Sequence, residues 1–308
     1  MLTLVNTPTG QNPLAFHTIA EPQPAANEAL VAVHASSLHR GELIQFRMRQ
    51  EGWRFGEDIA GIVIKAATDG SGPEEGTRVV GLVSQAGWSQ RIAAPTDCLV
   101  PLPDTLSFAE AVTLPVAGLT ALRTLRYGGF LLGQRVLVTG ASGGVGHLAV
   151  QLATLAGAQV TGVVSHADRG AFLRERGATA VVTSQQEAEG LFDLVLESVA
   201  GPSFIGSIRH VAPNGTVVVF GGSSGESVPF DGYVFLGHEN ARVQTFFLYG
   251  SSGIPEPIAA DLRLLVSLTV ARKLSPYIGW RGNWRDINQA ITALRDRQII
   301  GKAVFSLD

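Results

Sequence analysis

A glycine-rich loop, flanked by a β-branched run and a helical pattern, is the sequence feature that most constrains the fold of this chain. The segment VLVTGASGGVG at 136–146 contains Gly140, Gly143 and Gly146, and apolar residues at helical spacing follow it. Glycines at these positions permit a tight turn, close approach of the backbone to a ligand, and close packing of helix on sheet. The N–H groups at the start of the helix can face an anion. The pattern therefore predicts a dinucleotide-type phosphate loop in a βαβ unit.

The pattern of apolar residues changes near residue 115. Before it, short apolar alternations broken by Gly, Pro and Asp predict a strand-rich, barrel-like domain. After it, apolar β-branched runs alternate with helical patterns, as expected for about six strands of a doubly wound parallel sheet. A last strand at 301–305 is expected to return to the first domain. We therefore predict an α/β protein with domains at 1–115 plus 272–308 and at 116–271.

Composition excludes several classes of protein. The 308 residues carry 23 Lys and Arg against 26 Asp and Glu, and a net charge of −3 without a basic segment disfavours nucleic-acid binding. The single cysteine, Cys98, cannot form an internal disulfide or a four-cysteine zinc site, which fits a reducing compartment. No signal peptide or long apolar run is evident, so we expect a cytoplasmic protein that does not enter the membrane.

The glycine loop also matches a motif of a different enzyme class. The letters GASGG at 140–144 satisfy G-x-S-x-G, the elbow that presents a serine nucleophile, which would be Ser142. Asp193 and then His210 or His238 follow in the order of a hydrolase. A serine hydrolase is therefore an alternative, although it explains neither the third glycine nor the separate β-rich domain.

A position after the second predicted strand distinguishes the two nicotinamide dinucleotides. In NAD sites, a carboxylate about 20 residues beyond the glycines binds the ribose hydroxyls. Here that position is occupied by Ser165, which His166 follows, and Arg169 lies a few residues further on. A hydroxyl and a guanidinium suit a 2′-phosphate, which arginine holds through paired charge-assisted hydrogen bonds. The sequence favours NADP(H), with Asp168 as a competing acid.

Seven segments taken together resemble a known family. They are VHASSLHRGE at 33–42, FGEDIAGIV at 55–63, GTRVVGL at 76–82, LPVAGLTALRTL at 114–125, GASGGVG at 140–146, FGGSSG at 220–225 and ALRDRQIIGKAVF at 293–305. Over nearly its whole length the chain resembles the zinc-independent quinone oxidoreductase (zeta-crystallin-like) branch of the medium-chain dehydrogenase/reductase superfamily. The resemblance implies a split GroES-like domain, a Rossmann domain for NADP(H), a cleft between them for the nicotinamide, and a homodimer.

The resemblance also implies cofactor-binding positions, from the nicotinamide through the diphosphate, 2′-phosphate, ribose and cleft wall to the carboxamide. In that order they are Thr120; Gly140, Ala141, Ser142, Gly143, Gly144 and Val145; Ser165, His166 and Arg169; Ser198 and Val199; Phe220 and Gly221; and Phe246, Phe247 and Leu248. Core packing is the alternative for each position, and above all for the two phenylalanines next to each other, because strand aromatics are commonly buried.

Zinc chemistry is not expected. Zinc-dependent members of the superfamily use a cysteine that would fall near Leu38, and their Gly-His-Glu segment here reads Gly56-Glu57-Asp58. A catalytic zinc needs three protein ligands and an open position, which these residues do not supply. We interpret Glu57 and Asp58 as carboxylates that bond the backbone in a turn, with a direct catalytic role as the alternative.

Without a metal or an evident nucleophile, the chemistry is expected to come from NADPH, with a quinone or an α,β-unsaturated carbonyl as the small-molecule acceptor. His39 stands where the branch usually has Asn, and it is the candidate catalytic residue because imidazole can polarise a carbonyl or pass a proton near neutral pH. A hydrogen bond to a neighbouring loop is the alternative. Phe46 replaces a tyrosine often found nearby, so no tyrosine-assisted step is available there.

Two interpretations stay open at this stage. The charged or aromatic residues that follow this histidine either shape the substrate mouth or lie on a solvated face; they are Arg40, Glu42, Arg47 and Trp53. A protein that holds NADPH as a sensor or structural element with little turnover is the alternative to an enzyme.

Overall fold

The computed structural model describes residues 1–8, 13–228, 231–249 and 257–307. In chain order the strands are β1 (Leu2–Asn6), β2 (Leu14–Thr18), β3 (Glu28–Leu38), β4 (Asp58–Lys65), β5 (Arg78–Leu82), β6 (Arg91–Pro95), β7 (Leu99–Pro101), β8 (Arg135–Val138), β9 (Gln159–Val163), β10 (Ala180–Val182), β11 (Phe192–Glu197), β12 (Val211–Val219), β13 (Arg242–Thr245), β14 (Ile278–Asn283) and β15 (Lys302–Ser306). The helices are α1 (Arg40–Met48), α2 (Phe108–Ala111), α3 (Pro115–Leu125), α4 (Gly146–Leu155), α5 (Ala171–Glu175), α6 (Pro202–His210), α7 (Ile258–Val270) and α8 (Ile287–Arg295).

The chain divides into two units at positions that differ from the predicted boundaries. The first unit comprises Met1–Leu119 and Glu256–Asp308, and the second comprises Thr120–Pro255. The sequence placed the divisions after residues 115 and 271, which assigned α7 to the second unit. The structure places α7 in the first unit because this helix packs on β5 and β7. The apolar face of α7 could not reveal from sequence which sheet it covers.

The first unit is built on a seven-stranded sheet and a separate β1–β2 hairpin. The sheet has the order β14-β15-β3-β4-β5-β7, and β6 also pairs with the long strand β3. The C-terminal strand β15 runs antiparallel to β3, with Ala303 opposite Leu38. The interior of the first unit is filled by large aromatic side chains, among them Phe55, Trp88 and Phe305, which are all buried. Burial of these side chains supplies much of the hydrophobic stabilisation of the unit.

The second unit contains a six-stranded parallel sheet, which confirms the predicted α/β fold class with a Rossmann-type sheet. The strand order is β10-β9-β8-β11-β12-β13, and every neighbouring pair is parallel. The strands are apolar and β-branched because helices cover both faces of such a sheet, and Leu137, Val195 and Val217 are fully buried.

The strand order of this sheet reverses at β8, which determines where a ligand can bind. The chain passes from β8 to β9 on one side and later returns to β11 on the other side. Ligands of doubly wound sheets bind at the carboxyl ends of the strands next to such a reversal. The loops that follow β8, β9 and β11 all lie at that edge. Within the described ranges, no helix is both long and apolar enough to cross a membrane.

Candidate functional site

The glycine loop forms the tight strand-to-helix turn that the sequence predicts. Gly140 has a φ of +58°, and its carbonyl accepts the N–H of Gly143 at 2.9 Å. A Cβ on Gly146 would lie 2.4 Å from that same carbonyl oxygen, so no larger residue fits there. Helix α4 has no side-chain cap, and the N–H groups of Gly144 and Val145 find no acceptor among the described residues. Such a helix start offers backbone donors to a diphosphate.

Two further segments approach this loop at the carboxyl edge of the sheet. The N–H of Ser198 donates to Oγ1 of Thr139 at 2.9 Å, and its hydroxyl donates to the carbonyl of Thr139 at 3.0 Å. A Cβ on Gly140 would lie 2.7 Å from the Ser198 hydroxyl, and a Cβ on Gly221 would lie 2.9 Å from the Ser198 carbonyl. Three of the predicted cofactor segments therefore meet at one place in the second unit.

A buried carboxylate that the sequence analysis missed holds the turn after β11. Oε1 of Glu197 accepts the N–H groups of Val199 at 2.7 Å and Ala200 at 2.9 Å. Oε2 accepts the hydroxyls of Ser203 at 2.9 Å and Ser207 at 2.5 Å. Four donors satisfy the buried charge and fix the backbone of the predicted ribose neighbours. The sequence feature that could have revealed Glu197 is an acidic residue at the end of an apolar strand.

The predicted 2′-phosphate residues follow β9 at the same edge of the sheet. Ser165 and His166 are exposed, and Arg169 is half-buried. The N–H of Arg169 donates to the carbonyl of His166 at 3.1 Å, within a short turn that places the three residues together. Because β8 and β9 are parallel neighbours, this turn and the glycine loop lie beside each other. Asp168, the competing acid, is exposed in the same turn.

The remaining predicted cofactor residues differ in exposure. Thr120 and Phe246 are buried, Phe220 and Leu248 are half-buried, and Phe247 is 72% exposed. The ring of Phe246 packs edge-on against Tyr127 at 6.4 Å. Core packing, the alternative that the sequence leaves open, is therefore what the Phe246 side chain does.

The geometry contradicts the serine-hydrolase alternative. Ser142 follows the carboxyl end of β8, whereas Asp193 lies at the amino end of the parallel strand β11, where its Oδ2 accepts the N–H of Arg135 at 2.8 Å. His210 bonds the carbonyl of Gly206 within α6, and His238 bonds the carbonyl of Val211 at the amino end of β12. The serine and its proposed partners thus occupy opposite edges of one sheet, and no triad forms.

In the first unit, His39 and two carboxyl groups form a cluster next to the start of α1. Nε2 of His39 lies 3.1 Å from Oε2 of Glu57 and 3.7 Å from Oε2 of Glu42. The same Oε2 of Glu42 accepts the backbone N–H of His39 at 3.0 Å. Oε1 of Glu57 accepts from the amide of Gln45 at 3.3 Å. His39 therefore bonds Glu57, which lies in the loop that leads into β4, so the hydrogen bond to a neighbouring loop that the sequence left as the alternative is present.

Two side chains of this cluster have shifted proton affinities. Burial by itself would lower the pKa of His39, but the carboxylates of Glu42 and Glu57 outweigh it and raise that pKa from 6.5 to about 9. Burial raises the pKa of Glu42 from 4.5 to about 8, against the opposing field of His39. The imidazole is thus a protonated group at neutral pH, paired with Glu57.

Two interpretations of the acidic residues need correction. Glu42 lies neither at a mouth nor on a solvated face, because its side chain is only 1% exposed. Glu57 uses its side chain for His39 and Gln45, not for the backbone of a turn. Asp58 does bond the backbone, accepting the N–H of Val116 at 2.7 Å, but it also pairs with Lys302. These partners come from distant segments, which sequence spacing does not show.

Comparison with known proteins shows which enzymes this chain is similar to. Residues 144–267 match the family described as zinc-binding dehydrogenase. Quinone oxidoreductase-like protein 2 of Bos taurus is 25% identical over 96% of this chain and 90% of its own length. Acryloyl-coenzyme A reductase of Metallosphaera sedula is 23% identical over 94% of this chain and 95% of its own length. The quinone oxidoreductase of Thermus thermophilus, whose structure was also solved in complex with NADPH, has a TM-score of 0.86 at 28% identity, with full coverage of both chains.

Over nearly its whole length the chain is thus similar to quinone oxidoreductases of the medium-chain dehydrogenase/reductase superfamily. The matched family is described as zinc-binding, but the described residues do not fit a zinc site. Across the described ranges, no three His, Cys, Asp or Glu side chains are grouped so that they could hold a metal ion. Burial, with Asp97 adding to it, raises the pKa of the Cys98 thiol to about 12, so this cysteine is a neutral thiol at neutral pH.

Proposed function

We propose that this protein is a zinc-independent, NADPH-dependent oxidoreductase that reduces a quinone or an α,β-unsaturated carbonyl. The observation that carries the proposal is the turn at 140–146, whose backbone donors lie beside Ser165 and Arg169 and not beside an acid in the position typical of NAD sites. The kinship with quinone oxidoreductases supports the same conclusion.

Residues of the second unit would hold the cofactor. The N–H groups of Gly144 and Val145 would bind the diphosphate, and the hydroxyl of Ser165 with the guanidinium of Arg169 would bind the 2′-phosphate. Ser198 and Val199, held by Glu197, would border the ribose. Bound NADPH supplies a hydride to the acceptor.

His39 is the proposed proton donor. A quinone or enone that has gained a hydride carries a negative oxygen, which needs a proton. An N–H bond of the His39 imidazolium would break as an O–H bond forms on the reduced acceptor, and a proton from water would later restore the imidazolium. Glu57, 3.1 Å from Nε2, orients the ring and favours its protonated form before each turnover.

The acceptor class rests on chemistry and on kinship together. Quinones and enones accept hydride without a Lewis acid because the resulting anion is delocalised, whereas the described residues offer no zinc site for oxidation of ordinary alcohols. The relatives include a quinone oxidoreductase-like protein and a reductase of acryloyl-coenzyme A, which is an α,β-unsaturated thioester.

We further propose that the protein is a homodimer that pairs through β13. This strand is an edge of the parallel sheet, and all four of its residues are exposed. Large apolar side chains are exposed in the same part of the chain; they are Tyr233, Leu236, Val243, Phe247 and Tyr249. An open edge with apolar neighbours is suited to pairing with a second copy. The cytoplasmic location expected from the sequence stays a prediction.

Two measurements test the proposed function. Titration with NADPH and NADH, followed by nucleotide fluorescence, should show tighter binding of NADPH. Loss of NADPH absorbance with a panel of quinones and 2-alkenals should show turnover, and His39→Asn should slow it. Binding without turnover on the whole panel would favour the sensor or structural alternative. Absence of NADPH binding would overturn the proposal.

A further inference from the structure

The carboxyl group of Glu42 is buried, and one of its two oxygens lacks a hydrogen-bond partner among the described residues. Its side chain is 1% exposed, and its Oε2 accepts the backbone N–H of His39 at 3.0 Å. Its Oε1 is buried and has no hydrogen-bond partner in the described part of the chain. A charged oxygen in that position lacks both water and a donor, so ionisation of Glu42 is costly.

The charges around Glu42 show why a proton on this carboxyl is favourable. His39 faces two carboxyl groups, and Glu57 at 3.1 Å already balances one imidazolium charge. Asp58 and Lys302, the other charged groups of the cluster, pair with each other at 3.0 Å. An ionised Glu42 would be an uncompensated negative charge in a buried place.

The proton affinities of both groups are raised by this arrangement. Burial raises the pKa of Glu42 to about 8, and the carboxylates beside His39 raise its pKa to about 9. When Glu42 ionises above neutral pH, it gains a charge beside the imidazole. Its new charge, 3.7 Å from Nε2 of His39, then stabilises the imidazolium.

We propose that Glu42 is a positioning residue for the proton donor: its buried carboxyl group carries a proton at neutral pH, and when that group ionises above neutrality its charge holds His39 protonated. The inference rests on the proposed function only in taking His39 as the donor. The protonation behaviour itself is a property of the free protein.

The test is a titration of the imidazole of His39 by nuclear magnetic resonance in the full chain, without nucleotide or acceptor. The chain has seven histidines, and His39→Asn identifies the resonance by its disappearance. In the unaltered protein the midpoint should lie near pH 9. Glu42→Gln keeps an acceptor for the His39 N–H but cannot ionise, so the midpoint should fall by about one to three pH units.

Two further variants make this result specific. Glu42→Asp retains an ionisable group and should restore part of the lost shift. Glu51→Gln removes an exposed carboxyl three residues beyond α1 and should leave the midpoint unchanged. An equal midpoint for Glu42→Gln and the unaltered protein, or a midpoint near the ordinary 6.5 or so in the unaltered protein, would overturn the proposal.

A direct observation of Glu42 keeps the test decisive if Glu42→Gln does not fold. The carboxyl carbon of Glu42 in the unaltered protein should titrate with a midpoint near pH 8, and a midpoint near its usual value would contradict the inference. These measurements use no substrate, so inactivity toward quinones and enones would count against the proposed function alone. In an active protein, Glu42→Gln should also move the alkaline limb of the rate profile to lower pH.

Discussion

Nζ of Lys302 lies 3.0 Å from Oδ2 of Asp58, and both side chains are buried although 244 positions separate them in the chain. Lys302 opens β15 and Asp58 opens β4, and these strands flank β3 on its two sides. The hydroxyl of Ser37, on β3, donates to the same oxygen. The ion pair thus joins three strands directly beside the histidine cluster.

Removal of the lysine charge should destabilise the first unit strongly. Lys302→Met leaves the buried Asp58 without its partner, and we expect a loss of about 3–5 kcal/mol in the free energy of unfolding, measured by chemical denaturation. Adding Asp58→Asn should recover part of that loss. Glu21→Gln breaks the half-exposed pair with Arg91 and should cost less than about 1 kcal/mol. Equal losses for Lys302→Met and Glu21→Gln would contradict the structural role of the buried pair.

A side chain added at Gly146 should weaken cofactor binding. A Cβ at Gly146 would lie 2.4 Å from the Gly140 carbonyl, so Gly146→Ala must displace the loop. We expect at least about a tenfold loss of NADPH affinity, which corresponds to about 1.4 kcal/mol, in a fluorescence titration. Gly232→Ala adds a methyl group that has no described atom within 4 Å, in the same unit, and should bind NADPH normally. Normal binding by Gly146→Ala would show that the diphosphate lies elsewhere.

The choice between the two nucleotides should depend on Arg169. Arg169→Ala should lower the affinity for NADPH by about tenfold or more and leave the affinity for NADH nearly unchanged, because only NADPH carries the 2′-phosphate. The measurement is the ratio of the two dissociation constants. Arg174→Ala is the matched control, since that guanidinium donates to the Val181 carbonyl at 3.1 Å. Equal weakening of both nucleotides by Arg169→Ala would remove the 2′-phosphate assignment.

The stability of the first unit should fall as the pH rises. Folding raises the pKa of His39 above 6.5, so its contribution is complete below that pH and is lost as the pH approaches 9. Folding also raises the pKa of Glu42, so the folded state binds more protons between pH 4.5 and about 8, and stability decreases over that window too. Melting temperatures measured from pH 5 to 9 should therefore decline less steeply for Glu42→Gln. Glu51→Gln is the control, and its melting temperature should change with pH as that of the unaltered protein does. A steeper decline of the melting temperature in Glu42→Gln would contradict the assignment.

A charge on the open sheet edge should separate the proposed dimer. Val243 lies within β13 and is 40% exposed, and Val243→Lys would bury a lysine in a paired edge. Light scattering coupled to size-exclusion chromatography should then give the monomer mass. Leu264→Lys, at an exposed position on α7, should leave the dimer intact. A monomeric unaltered protein, or a dimeric Val243→Lys, would contradict pairing through β13.

Local patterns predicted the elements of the second unit with good accuracy. The runs before and after Gly140 became β8 and α4, and the predicted number of strands is the number observed. The burial of residues near strand ends was less predictable from the sequence. Phe246 and Phe247 are neighbours of the same type, yet one packs against Tyr127 and the other is exposed. Only the position of the surrounding side chains decides which of two adjacent aromatics points inward.

The sequence by itself determined the glycine loop, the alternation of strands and helices, and the absence of an acid at the ribose position, because each depends on residues close together in the chain. The tertiary structure decided the state of His39. Glu57 comes from the segment that leads into β4, and Lys302 comes from the far end of the sequence. Burial and neighbouring charge set a proton affinity, and both are properties of packed segments that spacing along a chain does not contain.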